Sequence, residues 1–117
     1  MGRKLMRKTD KKVEKQLISA LTHVCEQALE QVSGFLWLTH TVNFNNFPQS
    51  LRVVCVFDTE EHRSQYVMSD NQLLTSLVVA NLNILNIDIR KVKQLVILDS
   101  EERCKREHDG NWARRLS

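Results

Sequence analysis

Glycine and proline are scarce in these 117 residues, three and one, which excludes collagen-like and low-complexity chains. Gly2, Gly34 and Gly110 stand too far apart to build a phosphate-cradling loop. Cysteine is as scarce. Cys25, Cys55 and Cys104 are widely spaced and odd in number, which argues against a disulfide framework and for reduced thiols. No apolar stretch approaches the ~20 residues that a membrane span needs. The basic start runs into charged residues rather than into the apolar core of a secretory signal. These absences predict a cytoplasmic protein with no membrane partner.

Signs of catalysis are missing as well. No serine has a nucleophile-elbow context, and no motif ties His23, His40, His62 or His108 to a serine or cysteine. His40, on the apolar side of a predicted strand, reads as a satisfied core histidine, and His23, among polar neighbours, as exposed surface. Cys55 lies in an apolar run and reads as a small core residue. Cys104-x3-His108 sets two metal ligands one helical turn apart, but structural zinc takes four and there is no matching second pair. No metal site and no cofactor is predicted.

What is present fits one core. The length is that of one domain, and 42% hydrophobic with 26% charged residues is ordinary for a globular chain. The net charge is only +3, but residues 1–15 carry seven Lys or Arg against Asp10 and Glu14. Residues 16–100 carry a surplus of acid and residues 101–117 are nearly balanced, so the positive charge belongs to the ends, chiefly the first. We read residues 1–8 as a flexible basic arm and 9–117 as a single domain with a helical tail. Its expected site residues are Arg3, Lys4, Arg7, Lys8, Lys11, Lys12 and Lys15, which attract phosphate backbones or an acidic protein without encoding sequence.

Local patterns predict an α+β fold ordered helix, strand, strand, helix, strand, helical tail. After the caps Thr9 and Asp10, apolar residues from Val13 to Val32 keep the spacing of an amphipathic helix, and Ser33-Gly34 supplies its stop. From Phe35 the period becomes two, with Leu36, Leu38, Val42 and Phe44 on one side and Phe35, Trp37, Thr39 and Thr41 on the other. A turn through Pro48 leads to a second strand, Leu51 to Phe57, antiparallel to the first. A short helical turn follows, then a capping box at Ser69–Gln72 that opens a second long helix over 70–86. With no charge between Asn71 and Ile87, that helix is expected to be buried on more than one side. Val92 to Leu98 reads as a third strand, and Trp112 as a plug that docks the tail.

The segments Val53–Glu61 and Gln94–Glu102 echo one another: an apolar strand, then Asp, then Thr or Ser, then two Glu. Joined through a helix, strands two and three are expected to run parallel in a three-stranded mixed sheet, with the two long helices on one face. Asp58 and Asp99 then end at one rim with Glu60, Glu61, Glu101 and Glu102. Such a cluster is either a pair of helix caps or a Mg²⁺ site for phosphoryl chemistry. The sheet's other face needs a cover, which is either the tail or a second copy of the chain, and a homodimer is the expectation, formed through that open face or through the charge-free second helix. Arg52 and Arg90-Lys91-x-Lys93 add basic candidates, with Trp37 as a possible stacking group.

The stretches Met6–Lys12, Gly34–His40 and Phe47–Asp58 resemble a family of small uncharacterised bacterial proteins, some of which carry the label Fis-like transcriptional regulator. The resemblance covers about half of the chain. It implies no established mechanism; the label points to DNA-associated regulation, and the resemblance to a start at Met6, which would make the first five residues dispensable. The chain departs from Fis-type regulators, which are helical dimers ending in a helix-turn-helix: it has three β-forming runs, and its last segment is too short and too charged for two packed helices. The functional expectation is a non-catalytic interaction or regulatory module associated with nucleic acid. A divalent-metal-dependent enzyme acting on phosphate esters and a purely protein-binding adaptor are the alternatives.

Overall fold

The periodic apolar stripe of the first segment does form a helix. In the computed structural model, which describes residues 7–117, it is α1 (Lys8–Gln31), with Leu17, Leu21, Val24 and Ala28 buried. It starts earlier than Thr9 and Asp10 suggest. Arg7 is the N-cap and makes no side-chain cap bond, while Asp10 sits in the first turn and accepts from Arg7 Nε at 3.1 Å. A carboxylate inside that turn still meets the positive end of the helix dipole, so its helix-start signal is real but displaced. Of the arm over 1–8, residues 1–6, with Arg3 and Lys4, lie outside the described residues.

Gly34, at φ +82°, turns the chain into β1 (Phe35–Thr41), which pairs antiparallel with β2 (Arg52–Phe57). The strict alternation expected from Phe35 onward fails at one point. Phe35 pairs with Phe57 and Trp37 with Val56, so Leu36 is an extra residue, a bulge that shifts the phase. Phe35 therefore joins Leu38, Val42 and Phe44 in the core, while Leu36 is exposed and Trp37 faces the other side.

β2 is followed by α2 (Glu60–Met68), longer than the turn expected there, and by α3 (Leu73–Ile84). The expected capping box is absent. Ser69 ends α2, Asp70 takes a left-handed φ of +54°, and Gln72 makes no cap bond; instead Asn71 Oδ1 accepts from Leu73 N at 2.7 Å. α3 is also less enclosed than its composition suggests. Leu74, Val78 and Leu82 are buried against α1 and the sheet, but Ala80 is exposed and Ile84 is 78% exposed.

The third strand begins later than Val92. Val92–Gln94 form a 3-10 turn and Leu95 has helical torsions, so the ladder is β3 (Val96–Ser100), parallel to β2 at the edge of the order β1-β2-β3. Polar Lys93 and Gln94 break the run, which leaves Leu95 as a buried plug and Ile97 half-wet rather than enclosed. α4 (Glu101–His108) leaves β3 without a loop, and α5 (Trp112–Arg115) closes the chain.

Two cores result. Val53, Cys55 and Phe57 meet α1, α3 and Tyr66 of α2 on one face, while Val54 and Val56 point to the other. The tail covers that second face. Trp112 stands edge-on to Trp37 at 4.9 Å, and Arg115 grips Asp99 with Nε at 2.6 Å and Nη2 at 3.0 Å. The ground on which a second copy was expected there is thus removed. The architecture is α+β, a three-stranded mixed sheet with α1 and α3 on one face.

Candidate nucleic-acid interface

The parallel pairing of β2 and β3 does bring the carboxylates to one rim, and there all but Glu61, which meets only Gln65 Nε2 at 3.4 Å, have close partners from the protein itself. Asp58 accepts from Thr59 N at 2.6 Å and lies 2.7 Å from His62 Nδ1, whose bond holds its carboxyl below the usual range. Glu60 takes both arms of Arg63 at 2.9 Å and the Ser100 hydroxyl at 2.6 Å; with Arg63 the main cause, its pKa is held down to about 2. Glu102 accepts from Glu60 N, and Glu101 accepts from the indoles of both Trp37 and Trp112. Asp99 belongs to Arg115. Among the described residues no three His, Cys, Asp or Glu side chains gather as a metal site would require. The rim is a set of helix starts, with Thr59 Oγ1 and Ser100 Oγ accepting from the backbone N–H of His62 and Arg103.

Cys55, Cys104, His40 and His108 are likewise committed to structure. Cys55 is fully buried, which pushes its thiol up to about 12, and burial also raises Cys104, so neither offers a thiolate at neutral pH. His40 is half-buried, with Nε2 2.9 Å from Glu14 Oε1, and His23 is exposed. His108 Nδ1 faces Arg115 Nη1 at 3.1 Å rather than the buried Cys104. Trp37 cannot serve as an open stacking platform, because its ring lies against Trp112 and its N–H is spent on Glu101.

The basic residues present a different picture. Lys8, Lys11, Lys12 and Lys15 all lie on α1 and are exposed. Their spacing of three, four and seven stacks them on one face of the helix, opposite the buried stripe. Among the described residues none of the four is paired with a carboxylate; the adjoining Asp10 is taken by Arg7 and Glu14 by His40. Four like charges on one stripe repel and destabilise the helix slightly, by a few tenths of a kcal/mol per pair.

That stripe lies at a defined end of the molecule. Glu14 meets His40, His40 pairs with Val53, and Thr41 pairs with Arg52, so the start of α1 sits over the end of β1 and the start of β2. At the same end a groove of about 400 Å³ opens between the turn before β2 and the connector before β3. Arg52, Arg90 and Lys91 line it, against one carboxylate, Asp88. The sequence thus names the groove's cations, separated along the chain, and the fold gathers them. It does not name the amides Asn46, Gln49 and Gln94 that line the groove with them. Asn46 and Gln49 lie in the turn Asn45–Ser50, which reads as a loop with no further role, and Gln94 lies in the segment read as the third strand. Family models, curated proteins and solved structures return no match to the chain. The class therefore rests on the fold and its charge: a small α+β domain whose carboxylates are paired at the helix starts of one end, with Arg63, Arg103 and Arg115 among their partners, and which presents Lys8, Lys11, Lys12, Lys15, Arg52, Arg90 and Lys91 at the other.

Proposed function

We propose that the protein is a non-catalytic interaction module that binds nucleic acid through its basic end and acts in the cytoplasm. The observation that carries this reading is the stripe Lys8, Lys11, Lys12 and Lys15, exposed on one helix face, with Arg52, Arg90 and Lys91 at the same end. Arg63, Arg103 and Arg115, by contrast, are each paired with a carboxylate of the protein itself. Cations left on a common surface at a cost to the helix are suited to an external polyanion. The contrast with the rim favours this reading over a metal-dependent phosphoesterase, since the rim carboxylates are already held by arginine, histidine and backbone donors. No helix among the described residues is long and apolar enough to cross a membrane.

The test is a fluorescence-anisotropy titration of the full chain against DNA and RNA oligonucleotides over a range of salt. Affinity should fall steeply with salt. Replacing the four stripe lysines with glutamine should flatten the log–log slope by about 0.7–0.9 for each phosphate that is no longer neutralised. A weak binding curve indifferent to salt, or one that the four substitutions leave unchanged, would exclude the stripe as the binding surface.

A further inference from the structure

The groove at the basic end differs from a plain basic patch, because it is concave and lined in three chemistries. Arg52 supplies a guanidinium whose Nη1 is already tied to the carbonyls of Gln49 and Leu51, at 2.8 Å each. Its fork is therefore held in place before any ligand arrives, so little side-chain freedom is lost on binding. Its Nη2 lies 3.5 Å from Gln94 Oε1, at the margin of a hydrogen bond, and is open to a better acceptor. Arg90 and Lys91 stand exposed across from it, and neither pairs with a carboxylate among the described residues.

The rest of the lining suits a different part of a ligand. Asn46, Gln49 and Gln94 bring amides, each with a donor and an acceptor, and Asp88 adds a further acceptor. Pro48 and Ile89 give apolar wall. Fixed and mobile cations for a phosphate, amides for an edge of donors and acceptors, and apolar surface for a flat ring are together the needs of one nucleotide. The volume of about 400 Å³ falls within the ~300–1,000 Å³ of ordinary ligand sites.

Resting on the nucleic-acid reading above and extending it, we infer that this groove holds one unstacked base with its adjoining phosphate. It therefore makes the basic end prefer single-stranded nucleic acid to duplex. In a duplex the base edges are paired and the faces stacked, so only the stripe and the rim of the groove can engage the backbone. In a single strand a base can turn out and enter. The stripe supplies general attraction and the groove supplies discrimination.

Q94E tests this directly. Gln94 is exposed and the change is isosteric, so the fold should be unaffected, which a thermal melt checks. The new carboxylate sits where it captures the Arg52 fork. Single-strand affinity should drop about tenfold or more, the scale of removing one charge-assisted hydrogen bond. Duplex affinity should fall by clearly less, since a paired duplex has no turned-out base to place in the groove. R52K, which keeps the charge and removes the fork, should weaken single-strand binding more than duplex binding, so that the ratio of the two affinities falls.

Three results would overturn the inference, and they separate it from the reading beneath it. Equal affinity of the unaltered protein for both strand forms removes the groove's role and leaves the stripe. So does an equal loss on both forms in Q94E, which is a general charge effect. Absence of binding to any strand at low salt removes the nucleic-acid reading and the groove with it.

Discussion

At the scale of single residues, Gly34 shows how one position answers several demands at once. Its φ of +82° belongs to the region that side chains with a Cβ rarely adopt, and its carbonyl accepts from Asp58 N at 2.9 Å, tying the turn after α1 to the end of β2. A Cβ added there would stand 2.5 Å from Cβ and Cγ of His62, whose ring is held over the glycine by Asp58. Gly34→Ala should therefore destabilise the protein by more than the ~1 kcal/mol of a strained backbone alone. Adding His62→Gly, which removes the Cβ, Cγ and Nδ1 that the new methyl meets, should recover the part due to the clash and leave the part due to φ, with the His62→Gly single variant measuring the cost of glycine in α2. Paired denaturant melts of the single and double variants measure both. If the single variant melted like the native chain, the turn would have a different conformation. The sequence made Gly34 legible as a helix stop, because that signal is local. The approach of His62 was illegible, because it depends on where α2 begins relative to the end of α1, which no local pattern states. Leu36 is a similar case: alternation is a rule of averages, and one extra residue reverses the side to which Phe35 turns.

At the scale of elements, the echo between the two strand ends was a sound guide to chemistry and a poor one to register. Thr59 and Ser100 do cap α2 and α4 in the same manner, and β2 and β3 do run parallel. Aligning the two repeats would set Asp58 opposite Asp99, yet Asp99 pairs with Val56 and Ser100 with Phe57. Register follows the packing of the crossover helices on the sheet, not the repeat. The offset brings Glu60, at the start of α2, onto the Ser100 hydroxyl and near Arg103, so that one carboxylate ties α2 to β3 and α4. Its folded pKa of about 2 lies below the ordinary 4.5. The stabilisation it provides is therefore complete at neutral pH and is lost as pH falls from 4.5 through about 2, with Asp58 acting in the same direction. Glu60→Gln should lower the melting temperature at pH 7 and narrow the gap to the native protein on acidification. A constant gap from pH 7 to pH 2 would mean that Glu60 makes no charge-dependent interaction.

At the scale of the whole molecule, the tail decides whether the sheet has one wet face or none. Its composition hid this, because residues 101–111 are mostly charged and promise little apolar cover. The structure gains cover from few groups placed well: Cys104 is fully buried, Trp112 meets Trp37, and the Arg115 guanidinium joins Asp99 and Glu107 while lying 5.9 Å from the Trp112 ring. Asp99 and Arg115 are both mostly buried; Arg115 has a second partner in Glu107, but Asp99 has no other cation among the described residues, so removing Arg115 leaves it uncompensated, at about 3–5 kcal/mol. Deleting residues 111–117 would do this and also bare the face that holds Val54, Val56 and Trp37. A monomer rarely tolerates an open apolar patch beyond ~300–600 Å². The shortened chain should thus either unfold or associate through that face, whereas the full chain, with the face closed, should sediment as a single copy. Sedimentation equilibrium of both at micromolar concentration, with quenching of the Trp37 fluorescence that remains in the shortened chain, distinguishes the outcomes. If the shortened chain stayed folded and monomeric, with Trp37 open to the quencher, the sheet would be stable without its lid. A full chain of two-copy mass would place the dimer interface elsewhere, since the second face is already filled by the tail.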